Sequence, residues 1–129
     1  MTDTTPARVT VGRGAEAPVQ AAFETWLVGN GWLVDRAHGT WADVVATRED
    51  ERLIAEVKGY TGPNTGLDVD TMFGQLLRRM QPVATTTWAV VVPTRSLTAV
   101  LRVPIDVRRQ LGIRVLEVRD DDGVVEHFV

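Results

Sequence analysis

The stretch WADVVATREDERLIAEVKGY, residues 41–60, decides the fold. Val44, Val45 and Ala46 form one short apolar run, and Leu53, Ile54, Ala55 and Val57 form a second that Glu56 interrupts. The segment between them, Arg48-Glu49-Asp50-Glu51-Arg52, is too polar for a core and suits a turn. The reading is a β-hairpin. With the turn centred between Glu49 and Asp50, Val45 faces Ile54 and Asp43 faces Glu56. Side chains alternate along a strand, so Ile54, Glu56 and Lys58 share one face while Leu53, Ala55 and Val57 share the other.

This register brings two carboxylates and one ammonium to the same side of a two-stranded ribbon. Directly opposed side chains have Cβ atoms about 4.5–5.5 Å apart, and like charges placed so destabilise a sheet. A divalent cation is the natural compensation, because hard cations take carboxylate oxygens.

Asp43 followed by Glu56-Val57-Lys58 resembles the Asp…(Asp/Glu)-X-Lys signature of the PD-(D/E)XK nuclease superfamily, which includes many restriction endonucleases, Holliday-junction resolvases and Mrr-like nucleases. The motif is short, and Ala42 stands where the family name has proline. The resemblance implies a metal-dependent nuclease that hydrolyses DNA phosphodiester bonds. It implies Asp43, Glu56 and Lys58 as the catalytic set. Asp43, Glu56 and the Val57 carbonyl would hold one or two Mg²⁺ ions, with Mn²⁺ as substitute. Many members carry a glutamate on the first helix. Here Gln20 falls nearest that position, with Glu16 one turn earlier and Glu24 on the flank of the apolar face, so the strict match fails. Glu16 and Gln20, stacked at i and i+4, are the supporting pair of choice. Gln75, followed by Arg79, loosely resembles the polar pair on the helix after the acidic-X-Lys strand. Gln75 is therefore a supporting residue, and Arg79, Arg78 and Tyr60 are the expected nucleic-acid contacts.

Composition sets the bounds. With 129 residues, 44% of them hydrophobic and 24% charged, the chain is long enough for one ordinary core. No apolar run approaches the roughly 20 residues of a membrane span, and the N-terminus lacks an apolar signal core, so a cytoplasmic protein is expected. Cys is absent, which removes disulfides and thiolate metal sites. Lys58 is the only lysine among 14 basic residues, and a compact ammonium has a pKa that its surroundings move readily. The formal charge of −3 disfavours broad nonspecific nucleic-acid binding and leaves a local patch or a partner-supplied surface.

The remaining elements follow in order. Residues 1–14 are polar and read as a flexible arm, leaving 15–129 as a single nuclease-like domain. Val19, Ala22, Phe23, Trp26 and Leu27 repeat with helical period, which predicts a helix over 16–28 that ends at Gly29-Asn30-Gly31. Trp32, Leu33 and Val34 begin the first strand. His38 reads as a solvated loop residue, and residues 59–66 as a flexible glycine-rich loop at the edge of the site. Asp68 caps a second helix over 69–80, carried by Val69, Phe73, Leu76, Leu77 and Met80. Residues 88–93 form a continuous apolar run, expected as a central strand covered on both faces. Residues 97–101 form a helix, and Pro104 opens another that ends at Gly112. Residues 113–118 and 124–129 close the sheet around an Asp120-Asp121-Asp122-Gly123 turn, which lacks the spacing of a calcium loop.

The predicted fold is α/β, a restriction-endonuclease-like α/β/α sandwich with a mixed central β-sheet. The expected partner is DNA, without a membrane; a homodimer or larger protein complex stays open. The alternative function is a non-catalytic nuclease-like module that binds nucleic acid or a protein.

Overall fold

The computed structural model describes residues 16–59, 63–81 and 83–128. The element order is α1 (Glu16–Gly29), β1 (Leu33–Val34), β2 (Val44–Arg48), β3 (Glu51–Val57), α2 (Thr65–Arg79), β4 (Thr86–Pro93), a 3₁₀ turn (Thr94–Ser96), α3 (Leu97–Val100), α4 (Ile105–Leu111), β5 (Ile113–Val118) and β6 (Val124–His127). The strands form one six-stranded sheet in the order β1-β2-β3-β4-β5-β6. β3, β4 and β5 are parallel; the outer pairings are antiparallel. The architecture is therefore an α/β sandwich around a mixed central sheet.

The hairpin has the register its sequence dictates. Val45 pairs with Ile54, Ala46 with Leu53 and Arg48 with Glu51. The two-residue turn is closed without glycine, and Glu49 accepts φ 55°. Along β3 the side chains alternate between buried Leu53, Ala55 and Val57 and half-buried Ile54 and Glu56.

That alternation divides two cores. Leu53, Ala55 and Val57 join Val44, Ala46, Ala89, Val91 and Leu116 against Val19, Phe23 and Leu27 of α1. On the opposite face, Trp88, Val90, Val92 and Val115 meet Val69, Met72, Phe73 and Leu76 of α2 and Val100 of α3. Both parallel crossovers, β3-α2-β4 and β4-α3-α4-β5, advance in the same direction across the sheet. Right-handed connections then place their helices on one face, which leaves the other to α1. β4 carries six consecutive buried residues, as a strand covered on both faces must.

Several boundaries differ from expectation. α2 begins at Thr65, not Val69, with Asn64 at the N-cap position. Asp68 lies inside the first turn, where its N–H donates to the Asn64 carbonyl. Thr65 and Gly66 carry no apolar periodicity, so this turn is invisible to a pattern that reads only the buried stripe. β4 begins at Thr86 and β6 ends at His127. α4 ends as expected at Gly112, whose φ of 70° forms the left-handed cap. Arg108 is buried and donates from Nε to the Val103 carbonyl. The acidic turn is a hairpin tip: Asp121 Oδ1 accepts the Gly123 N–H, and Asp122 takes φ 70°. Residues 1–14, expected as an arm, lie outside the described residues.

Candidate functional site

The hairpin ladder ends at Val44 and Ala55. One residue further, the backbone departs from simple pairing. The Asp43 N–H donates to the Ala55 carbonyl at 3.2 Å. The Asp43 carboxylate turns across the strand, and Oδ2 accepts the Val57 N–H at 2.7 Å. Asp43 thus replaces a backbone carbonyl with its side chain at the end of the ladder. The expected facing of Asp43 and Glu56 becomes a staggered approach. The two carboxyl groups still come close enough to share a proton.

Glu56 is the perturbed member. Its carboxyl is pushed up to about 7, first by burial, then by the Asp43 charge and hydrogen bond, and more weakly by Glu16. Arg79 acts in the opposite sense. Glu56 Oε2 is buried without a hydrogen-bond partner, a costly state for a polar atom. The arrangement is a pair of neighbouring carboxyls, one of them raised toward neutral pH and carrying an oxygen without a partner.

The other candidates are placed as follows. Lys58 extends β3; its N–H donates to the Val91 carbonyl, and its half-buried side chain is not among the charges that move Glu56. Glu16 opens α1 and its charge reaches Glu56. Gln20 donates from Nε2 to Glu24 Oε2 at 3.0 Å and to the Asp43 carbonyl at 3.4 Å, so it braces the strand that carries Asp43. Glu24 is held by Arg36 at 2.7 Å. Gln75 is exposed, and no hydrogen bond joins it to either carboxylate. Arg78 is exposed at the end of α2. Tyr60 lies outside the described residues. His38 serves its own loop, with Nδ1 accepting the Thr40 N–H at 3.0 Å.

Sequence reasoning missed Trp41. The Arg79 guanidinium lies over its indole, 4.8 Å from the ring centroid. An aromatic residue two positions before a candidate metal-binding aspartate was the only signal. The 38-residue separation from Arg79 concealed the contact.

The donor set suits a hard cation. Asp43 and Glu56 could supply carboxylate oxygens, and Glu56 Oε2 is the one without a hydrogen-bond partner. An extended residue directs its N–H and C=O to the same edge of its strand, so the Val57 carbonyl points toward the Asp43 side. Among the described residues no group of three or more His, Cys, Asp or Glu side chains forms a metal cage. Two carboxylates and a carbonyl are nonetheless the type of partial set that Mg²⁺ accepts, since it keeps several waters.

No family model matches the sequence, and no curated protein matches it. Solved structures do match the fold. The chain resembles an XisH family protein from Nostoc punctiforme at 18% identity and TM-score 0.60, over 84% of this chain and 96% of that one. It also resembles an fdxN element excision controlling factor protein from Anabaena variabilis at 17% identity and TM-score 0.57, with the same coverage. At these identities the likeness defines the fold: the mixed six-stranded sheet with flanking helices is that of the XisH structures. Among the described residues no helix is long and apolar enough to cross a membrane.

Proposed function

We propose that the protein is a metal-dependent nuclease of the restriction-endonuclease-like class, hydrolysing DNA phosphodiester bonds at Asp43, Glu56 and Lys58. The observation that carries this reading is Glu56. A buried carboxyl with an unpartnered oxygen beside a second carboxylate is a cost to the apo fold, and a cation removes that cost. The description of one structural neighbour as an excision controlling factor fits DNA as the substrate.

Asp43, Glu56 and the Val57 carbonyl would hold Mg²⁺, which supplies water activation and neutralises charge developing on the phosphate. Asp43 keeps its orientation through the Val57 N–H, so the same bond that ends the ladder presents its second oxygen. Gln20 braces Asp43 through its carbonyl. Lys58, on a flexible stem, orients or deprotonates the attacking water or stabilises the phosphorane. Arg79, near enough to act on Glu56, carries a planar fork that suits a phosphate.

A second reading, a nuclease-like module that binds without cutting, is favoured by the disengaged Lys58 and by the absence of a third carboxylate from the cluster among the described residues. One assay separates the two. Labelled duplex, single strand and four-way junction are incubated with the protein in Mn²⁺ and in EDTA. Cleavage in Mn²⁺ that vanishes in Asp43→Asn, Glu56→Gln and Lys58→Ala supports the nuclease. Binding without cleavage on every substrate supports the module, and cleavage that survives in Lys58→Ala removes the role given to that lysine.

A further inference from the structure

Trp41 is 37% exposed, whereas Trp32 and Trp88 are 4% and 6% exposed in the two cores. It lies two residues before Asp43. Both residues lie in the bend that leads into β2 at Val44. Its ring is fixed by the Arg79 guanidinium at 4.8 Å, and Arg79 in turn acts on Glu56. An aromatic face, a guanidinium and a carboxylate pair therefore border one site.

A surface tryptophan costs solvation, and Arg79 alone does not require it. The Arg79 charge already acts on the Glu56 carboxyl. An indole beside a phosphate-cleaving centre has one further use: it stacks on a nucleobase, and base–aromatic stacking tolerates any sequence. Bases inside a duplex are stacked on both faces and offer none to the protein. The chain is also acidic, with 17 Asp and Glu against 14 Lys and Arg, so a broad phosphate-binding surface is not its source of affinity.

Resting on the nuclease reading, we infer that Trp41 is a base-stacking platform and that the substrate has an unpaired base beside the scissile phosphate. The substrate class is single-stranded, frayed or junction DNA, not continuous duplex. Arg79 holds the indole flat and meets the adjoining phosphate.

The test uses the full chain without divalent metal, a 12-nucleotide single strand and a closed dumbbell duplex without ends. Affinity is measured by anisotropy across a salt series. Wild type is expected to prefer the single strand. Trp41→Ala should weaken single-strand binding about 10–100-fold. It should leave the dumbbell and the salt slope unchanged, and Trp41→Phe should retain most of the affinity. Intrinsic fluorescence should be quenched by the strand in wild type and much less in Trp41→Phe, whose other three tryptophans remain. Equal loss on both substrates with a shallower salt slope would show that Trp41 only pins Arg79, and the stacking role would fall. A wild type that binds the dumbbell as tightly, or a Trp41→Ala that loses nothing, overturns the inference and leaves the nuclease reading intact. A wild type that binds neither DNA and cuts none in Mn²⁺ overturns both.

Discussion

Glu56 and Glu117 occupy matched positions near the ends of two parallel strands that flank β4. Glu56 pairs with Val90 and Glu117 with Val92, so both lie on the face that α2 and α3 cover. Their chemistry is opposite. Glu117 is 5% exposed, yet its carboxyl is held below the usual range. Thr94 Oγ1 donates to one of its oxygens, and His127 Nε2 lies 2.9 Å from the other. The Glu56 carboxyl is raised to about 7, first by burial and then by the Asp43 charge and hydrogen bond, and its Oε2 has no donor to offset them. Burial alone does not decide the charge of a carboxyl; the donors around it do. Glu117 is satisfied within the fold, and Glu56 Oε2 is not.

The largest expected effect breaks that contrast from the stable side. Glu117→Ala leaves the Thr94 hydroxyl and His127 without their partner and should destabilise the protein by about 2–4 kcal/mol, on the scale of a broken buried pair. Urea denaturation measures it. Glu56→Gln, at the matched position, should be neutral or stabilising in the absence of metal. Destabilisation of similar size in both variants would mean that Glu56 is simply another structural carboxylate.

Metal comes next. A cation that binds only the folded state stabilises it by about 2.7 kcal/mol at a hundredfold excess over Kd. Mg²⁺ or Mn²⁺ should therefore raise the melting temperature of wild type and of Thr94→Val, while Glu56→Gln stays nearly flat. An equal shift in Glu56→Gln would place the cation elsewhere.

The pH response sharpens the same comparison. The folded Glu56 carboxyl titrates near 7, above its ordinary value of 4.5. Between those values the folded state holds a proton that the unfolded chain has released. The associated stability is complete below about 4.5 and is lost as pH rises through 7. Glu117 runs the other way: its contribution is present above the ordinary carboxylate value and is lost as pH falls through its depressed value. Apo wild type should lose melting temperature from pH 5 to pH 8, and Glu56→Gln should remove that slope. A slope that persists in the variant would assign it to another group.

Much of the fold was legible because it rests on periodic signals. The hairpin register followed from alternation and a two-residue turn, and Val45 does pair with Ile54. The central strand followed from an unbroken apolar run. What escaped has no period. The ladder breaks at Asp43 because a side chain takes a backbone position, and alternation cannot show that. The first turn of α2 has no buried residue to mark it before Val69. Trp41 and Arg79 meet across the chain through one cation–π contact. The satisfied state of Glu117 required Thr94 and His127, which come from different elements and carry no common pattern.

The smallest expected effect lies at Asp43 itself. Asp43→Asn removes the charge that repels Glu56 but keeps an oxygen for the Val57 N–H, so the end of the ladder survives. The new amide N–H can also donate to the orphaned Glu56 oxygen. At pH 8, above the Glu56 value of about 7, the metal-free variant should gain about 0.5–1 kcal/mol, the size of a cross-strand pair. At pH 5 the Glu56 proton already relieves the repulsion, so the gain should shrink toward zero. The two measurements distinguish charge relief from better packing, because packing would be indifferent to pH. A variant less stable than wild type at both values would show that the carboxylate charge strengthens the Val57 bond by more than Glu56 opposes it, and Asp43 would then belong with Glu117 as a structural acid.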